Sequence, residues 1–187
     1  ASSINPFDVK LRKGVLEKFI PLQFPFALGG DLAGVISEVG EGVEYFNTGN
    51  KVYGSGNVLS GATGAFAEFA LVPALLLAKM PNNIDFKEAA AIVLTGASAV
   101  QALIAPIELQ PEQKILIHGG SGGIGTIAIQ IAKAIGAYVS TTATGSGMGY
   151  VRKLGADHVI DYKKEDFGDI ISDSDAVFDT VGGEVFE

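Results

Sequence analysis

Ile115-Leu116-Ile117-His118-Gly119-Gly120-Ser121-Gly122-Gly123-Ile124-Gly125 runs from an apolar β-type segment into a glycine turn, and helical spacing follows from Thr126 to Gly136. Strand, glycine turn and helix in this order form a dinucleotide-binding fingerprint. Each glycine has its own expected duty: Gly120 makes the tight turn, Gly122 lets the backbone approach a pyrophosphate, and Gly125 lets the helix pack close to the strand. Unpaired N–H groups and the positive end of the helix dipole favour a phosphate at the helix start, which puts Ser121, Gly123 and Ile124 among the candidate cofactor contacts. Ile127, Ile131 and Ala134 recur at helical spacing and are expected to pack on a sheet, while Gly136 ends the helix.

Downstream, strand and helix alternate. Ala137 to Thr142 reads as a second strand, Met148 to Leu154 as a short helix, Asp157 to Ile160 as a third strand and Asp175 to Asp179 as a fourth. That alternation predicts a parallel, doubly wound α/β sheet of Rossmann type. Upstream the pattern changes. Val35 to Val39, Lys51 to Tyr53 and Ala65 to Val72 read as short strands between glycine-rich turns, as in an irregular antiparallel β-domain. Asp85 and Glu88 form a capping box for a helix carrying Ala89, Ala90, Ile92 and Val93, and Pro81-Asn82-Asn83 breaks the pattern before it. The expected domains are residues 1–84 and 85–187. Ala1 is not a start methionine, and a six-stranded dinucleotide fold needs two strands after Glu187, so both domains are expected to be incomplete here.

The formal charge of −8 and the scattered Lys and Arg residues exclude a basic footprint for nucleic acid or anionic membrane. Ala89 to Ile107 lacks charge, but its Ala, Gly, Ser, Thr and Gln content with Pro106 predicts a buried helical hairpin rather than a membrane span. The chain has no cysteine, which excludes disulfides and thiolate metal sites and fits a reducing cytoplasm.

The glycine pattern alone also fits the short-chain dehydrogenases. Their fingerprint resembles an N-terminal one, however, and their Tyr-x-x-x-Lys pair is absent here. Asn5-Pro6-Phe7-Asp8-Val9-Lys10, Gly29-Gly30-Asp31-Leu32-Ala33-Gly34, Gly49-Asn50-Lys51-Val52, Gly123-Ile124-Gly125, Leu154-Gly155-Ala156-Asp157 and Asp179-Thr180-Val181-Gly182-Gly183 resemble successive landmarks of the medium-chain dehydrogenase/reductase superfamily. Its order of a GroES-like β-domain before a Rossmann-type domain fits the whole chain. The chain is most similar to the zinc-free quinone oxidoreductase branch, with its NADPH-dependent alkenal and enone reductases; Asn50 departs from the family's usual Asp.

The resemblance implies hydride transfer from NADPH to a quinone or to the C=C bond of an α,β-unsaturated carbonyl. Zinc members use Cys and His ligands, whereas this chain has only His118 and His158, on strands of the cofactor domain, so metal is not expected. Without a Lewis acid the carbonyl must be polarised by hydrogen bonds. Asn5 and Lys10 are the catalytic candidates: if Pro6 opens a short helix, Asp8 and Lys10 are too close to share one face, so Lys10 can point toward the cleft while Asp8 points elsewhere. Phe7, Tyr53 and Phe66 are candidate pocket walls, with β-domain core the safer assumption for Phe66 and Phe69.

No acidic residue stands between Glu112 and Asp157, where NAD binders usually place one for the ribose 2′-hydroxyl. Thr142, Thr144 and Ser146 offer small hydroxyls instead. The resemblance puts Thr144, a nearby basic residue and Tyr162 at the adenosine 2′-phosphate; Gly145-Ser146-Gly147 occupies the expected basic stretch, so Arg152 or Lys153 would have to reach in. NADPH is the expected cofactor. Thr95, following the helix that contains Leu94, resembles the threonine at the nicotinamide carboxamide, and Val181 and Gly182 lie where the nicotinamide ribose belongs. An enoyl-thioester reductase and a non-catalytic NADPH-binding sensor remain the alternatives. Relatives commonly form homodimers, and the residues leave the oligomeric state open.

Overall fold

The computed structural model describes residues 1–187 except 20, 22–24, 58, 60 and 184–187. The chain divides into two compact units, Ala1–Leu94 and Thr95–Glu187.

In the first unit, β1 (Ser2–Ser3), β2 (Asp31–Val35), β3 (Lys51–Ser55) and β4 (Leu77–Lys79) form an antiparallel sheet in sequential order. Pro6 does open a helix, α1 (Pro6–Arg12), because its missing N–H falls where no intrahelical partner exists. The expected capping box forms at α2 (Phe86–Ala91): Asp85 accepts from the N–H groups of Lys87 and Glu88 at 2.8 Å each, and Glu88 accepts from the Asp85 N–H at 2.8 Å. Ala89 and Ala90 seat that helix on Ala33 of the sheet, with Tyr53, Met80 and Phe86 around them. Since α2 packs on the first sheet, the units part ten residues beyond the expected boundary at 84/85.

Two sequence-predicted strands need correction. Ile36 to Val39 lies outside β2, and Ala65 to Val72 forms no strand, with bends over residues 65–69 and irregular chain after them. There the N–H groups of Ala65 and Phe66 reach Gly29 and Leu28, while Leu71 returns to Thr63, so the alternating pattern has no ladder partner. Phe69 is consequently 77% exposed and Phe66 41%, and neither is core.

In the second unit, α3 (Val93–Ile104) leads to a parallel sheet of order β7-β6-β5-β8: His158–Asp161, Tyr138–Ala143, Lys114–His118 and Ala176–Asp179. Helices α4 (Gly123–Ile135), α5 (Ser146–Lys153) and α6 (Phe167–Ile170) connect the strands. Ile115 to His118 are all buried, as befits a central parallel strand covered on both faces. Leu103, Ile117, Ile129, Val139 and Val151 fill the core beneath the helices. Gly136 closes α4 in the left-handed region at φ 97°. Strand order reverses between β5 and β8, and the crevice at the carboxyl ends of an open α/β sheet lies at such a reversal. Among the described residues no helix is long and apolar enough to cross a membrane.

Candidate cofactor site

The turn after β5 divides its labour differently from the sequence-based expectation. Gly119, not Gly120, takes the left-handed conformation, at φ 72°. Gly120 is needed for space: a Cβ there would run into the Thr141 hydroxyl and stand 3.0 Å from Ile129 Cδ1. Gly125 has the expected role, since its Cβ would overlap the Gly119 carbonyl and lie 2.7 Å from Gly120 Cα. Gly122 caps α4 without a side-chain bond, and α4 starts one residue later, at Gly123 rather than Thr126. The N–H groups of Gly123, Ile124 and Gly125 therefore lead the helix with no intrahelical acceptor. Ser121, Gly122 and Gly123 are exposed.

Thr142 braces this turn from β6. Its hydroxyl accepts from the Gly119 N–H at 3.0 Å and its carbonyl from the Gly120 N–H at 3.1 Å. The same hydroxyl lies 3.4 Å from His118 Nδ1. Thr142 is buried, so the structure puts its hydroxyl on the turn and not on an exposed face. Burial pushes the His118 imidazole below its ordinary value of 6.5 against the opposing pull of Asp179, and the Phe167 ring stands edge-on to it at 4.4 Å.

The residues after β8 meet the same turn. The Thr180 hydroxyl donates to the His118 carbonyl at 2.6 Å, and a Cβ on Gly119 would come within 2.8 Å of Val181 Cγ2. Asp179 folds the loop over itself, accepting from Val181 N–H at 2.8 Å and Gly182 N–H at 3.0 Å. The Val181 N–H is the main cause of the lowered Asp179 pKa; burial opposes it, and the Gly182 N–H and His118 reinforce it. An open pocket here is lined by Ser98, Gln101, Ile124, Phe178, Val181 and Gly182 among others. Thr95 lies inside α3, the break between helices falling at Ile92, and its Cγ2 is 3.0 Å from where a Gly123 Cβ would stand. A glycine at position 123 keeps the two apart.

At the far side of the turn, Ser146 opens α5, and a Cβ on Gly147 would sit 2.9 Å from Ser121 Cβ. Thr144 follows β6 beside the end of β7, because Ala143 pairs with Asp161. Sequence reasoning overlooked Asp161. Its carboxylate is held below the ordinary carboxylate range first by a hydrogen bond from Thr144, with the Lys163 N–H and the Lys164 ammonium adding to it against burial. An acidic side chain thus does reach the end of the second strand of this sheet, supplied by the neighbouring strand. Tyr162, next to it, is exposed.

In the first unit Asn5, Asp8 and Asp31 are buried. Asn5 Nδ2 donates to Asp31 Oδ2 at 2.7 Å, Ser3 Oγ donates to the same oxygen at 2.6 Å, and the Asn5 N–H donates to Asp8 at 2.8 Å. Lys10, two residues on, is exposed. On one helix Asp8 is thus buried and Lys10 exposed, and Asp31 of β2 fixes the Asn5 carboxamide, a partner the sequence reading had not assigned.

Residues 1–82 match the family described as Alcohol dehydrogenase GroES-like domain, and residues 123–187 match the family described as Zinc-binding dehydrogenase. A chloroplast envelope quinone oxidoreductase homolog of Arabidopsis thaliana is 38% identical over 97% of this chain and 56% of its own length. An NADPH-dependent alkenal/one oxidoreductase of the same plant, chloroplastic, is 38% identical over 97% of this chain and 48% of its own. The crystal structure of an alcohol dehydrogenase superfamily protein from Novosphingobium aromaticivorans superposes with a TM-score of 0.90 at 40% identity, over 98% of this chain and 57% of that one. The chain spans about half the length of the curated relatives it matches. Zinc, implied by the second family's description, does not fit the donors present: the sequence has no cysteine, His118 is buried in β5, and no three His, Asp or Glu residues converge among the described residues.

Proposed function

We propose a function for the whole protein from the premise that this chain belongs to the medium-chain dehydrogenase/reductase superfamily, in its quinone oxidoreductase branch: a zinc-independent, NADPH-dependent reductase of quinones or of the C=C bond of α,β-unsaturated carbonyls. The observation that carries this reading is the glycine turn with three unpaired N–H groups at the head of α4, set where strand order reverses. Similarity to a relative named as an NADPH-dependent alkenal/one oxidoreductase supports the cofactor and acceptor classes.

The cofactor supplies the hydride when bound. Gly123, Ile124 and Gly125 N–H groups hold its pyrophosphate, and the Val181–Gly182 backbone, folded by Asp179, lies against its nicotinamide ribose; Thr95 contacts its carboxamide. Thr144 and Tyr162 hold the adenosine 2′-phosphate. Lys10 donates to the carbonyl oxygen as negative charge develops there, and Asn5, immobilised by Asp31, orients the reacting groups. A chain without cysteine suits a reducing compartment, and the cytoplasm is the proposed location.

The test is NADPH oxidation by the full-length protein, followed by absorbance, with panels of enones, quinones and enoyl thioesters. Turnover of enones or quinones is the expected result. Turnover confined to enoyl thioesters, or tight NADPH binding without turnover of any acceptor, would overturn it.

A further inference from the structure

The segment between β6 and α5 carries no basic residue, since Thr144 leads through Gly145 straight into Ser146. The basic residues of α5 are Arg152 and Lys153, in its last turn. At about 1.5 Å of rise per residue they stand roughly 9 Å along the axis from Ser146. The fold brings a different cation to Thr144. Parallel pairing sets Ala143 against Asp161, so the residues after β6 and after β7 emerge side by side. Beyond β7 the chain doubles back at once: the Asp161 carbonyl accepts from the N–H groups of Lys164 at 2.8 Å and Glu165 at 3.0 Å, and the Asp161 carboxylate accepts from the Lys163 N–H at 3.3 Å. That tight turn returns Lys164 to the Asp161 carboxylate, at the strand end beside Thr144, with Nζ 3.6 Å from Oδ2. Glu165 is committed elsewhere, its carboxylate accepting from the Asp161 N–H at 3.1 Å.

The two partners of this ion pair are unequal. The Asp161 side chain is 9% exposed and accepts from the Lys163 N–H, whereas that of Lys164 is 78% exposed and its ammonium lies beyond hydrogen-bonding distance. A long, solvated pair of this kind holds its ammonium weakly. A phosphate dianion beside Thr144 offers it a stronger, charge-assisted partner.

We propose that Lys164 is the cation that recognises the adenosine 2′-phosphate, poised beside Thr144 by Asp161, and that it sets the preference of this protein for NADPH over NADH. This rests on the NADPH reading above. Asp161 acts as a positioning residue: too enclosed to meet the phosphate, it anchors the turn that carries Lys164 to the strand end beside Thr144.

Dissociation constants for NADPH and NADH, by fluorescence titration of the full-length protein, test the assignment, with adenosine 2′,5′-bisphosphate and adenosine 5′-monophosphate as competitors. Lys164→Gln is expected to weaken NADPH and the bisphosphate about tenfold, the scale of one charge-assisted bond, with NADH and the monophosphate within about twofold. Lys164→Arg restores the preference, and Arg152→Gln and Lys153→Gln leave it unchanged. A wild-type preference for NADPH that survives Lys164→Gln, or that is lost only in Arg152→Gln, Lys153→Gln or Lys163→Gln, overturns the role of Lys164 and leaves the NADPH reading standing. A wild-type protein that binds the two cofactors equally, or neither, overturns that reading and this inference with it.

Discussion

Gly120 and Gly125 occupy the same turn but meet different obstacles, and that difference makes a sharp prediction. An alanine at position 125 would place its methyl 2.7 Å from Gly120 Cα and closer still to the Gly119 carbonyl oxygen. Carbon atoms pack at about 3.5–4.0 Å, so the head of α4 must back away from the turn by roughly 1 Å. Both sides of the clash are backbone and neither can rotate clear. Overpacking of this kind costs about 1–3 kcal/mol, and each kcal/mol moves Tm by roughly 2–4 °C in a chain of this size, so Gly125→Ala should melt roughly 2–12 °C lower. The same displacement would carry the three leading N–H groups off the proposed pyrophosphate position. Losing one charge-assisted bond, about 1.5–3 kcal/mol, weakens NADPH roughly ten- to hundredfold. At position 120 the nearest obstacle is the Thr141 hydroxyl, a side-chain atom that substitution removes. Gly120→Ala should therefore bind poorly, and Gly120→Ala/Thr141→Ala should recover part of the affinity despite losing the bond from Thr141 to the Ile117 carbonyl. Thr141→Ala should do nothing for Gly125→Ala. Differential scanning fluorimetry and NADPH titration of the five proteins decide the matter. A Gly125→Ala protein with wild-type affinity, or a double variant no better than Gly120→Ala, refutes the reasoning.

Other consequences can be checked as directly. His118 is held below 6.5 by burial, so the unfolded chain takes up its proton more readily than the folded one; this contribution to stability is complete above pH 6.5 and is lost as pH falls below it. Urea midpoints measured on either side of pH 6.5 should differ more for wild type than for His118→Asn, and equal differences would remove His118 as the cause. Asp179→Ala frees the Val181 and Gly182 N–H groups, and NADPH should weaken roughly two- to tenfold, the net worth of one ordinary hydrogen bond. Asp179→Asn, which keeps an acceptor oxygen, should recover part of that, and an unaltered Asp179→Ala protein would separate the loop from the cofactor. Lys10→Met should lower kcat about 10²–10³-fold while the NADPH dissociation constant holds, as for a lost donor to a developing oxyanion. Retained enone reductase activity would dismiss Lys10 from the chemistry.

The parts of this molecule that could be read from the sequence are those whose causes are local. Strand β5 with its glycine turn and α4, the Asp85–Glu88 capping box and the stop at Gly136 each depend on residues a few positions apart, and each forms. Ala65 to Val72 misled because alternation marks a strand only where a neighbour offers a ladder, and these N–H groups turn to Leu28, Gly29 and Thr63. Gly120 departs from its expected duty for a related reason: the clash that demands a glycine there comes from Thr141, on the next strand. The adenosine end carries this furthest. Searching one stretch between Glu112 and Asp157 for an acidic residue is a local test of a charge that parallel strands assemble jointly. The register that pairs Ala143 with Asp161 delivers a carboxylate and, three residues later, an ammonium to the same place. With Lys164 as the proposed 2′-phosphate contact, cofactor preference would depend on two adjacent strand ends. The counts that matter are which charges at the second end are already committed, as Asp161 and Glu165 are, and which remain free to turn, as Lys164 is.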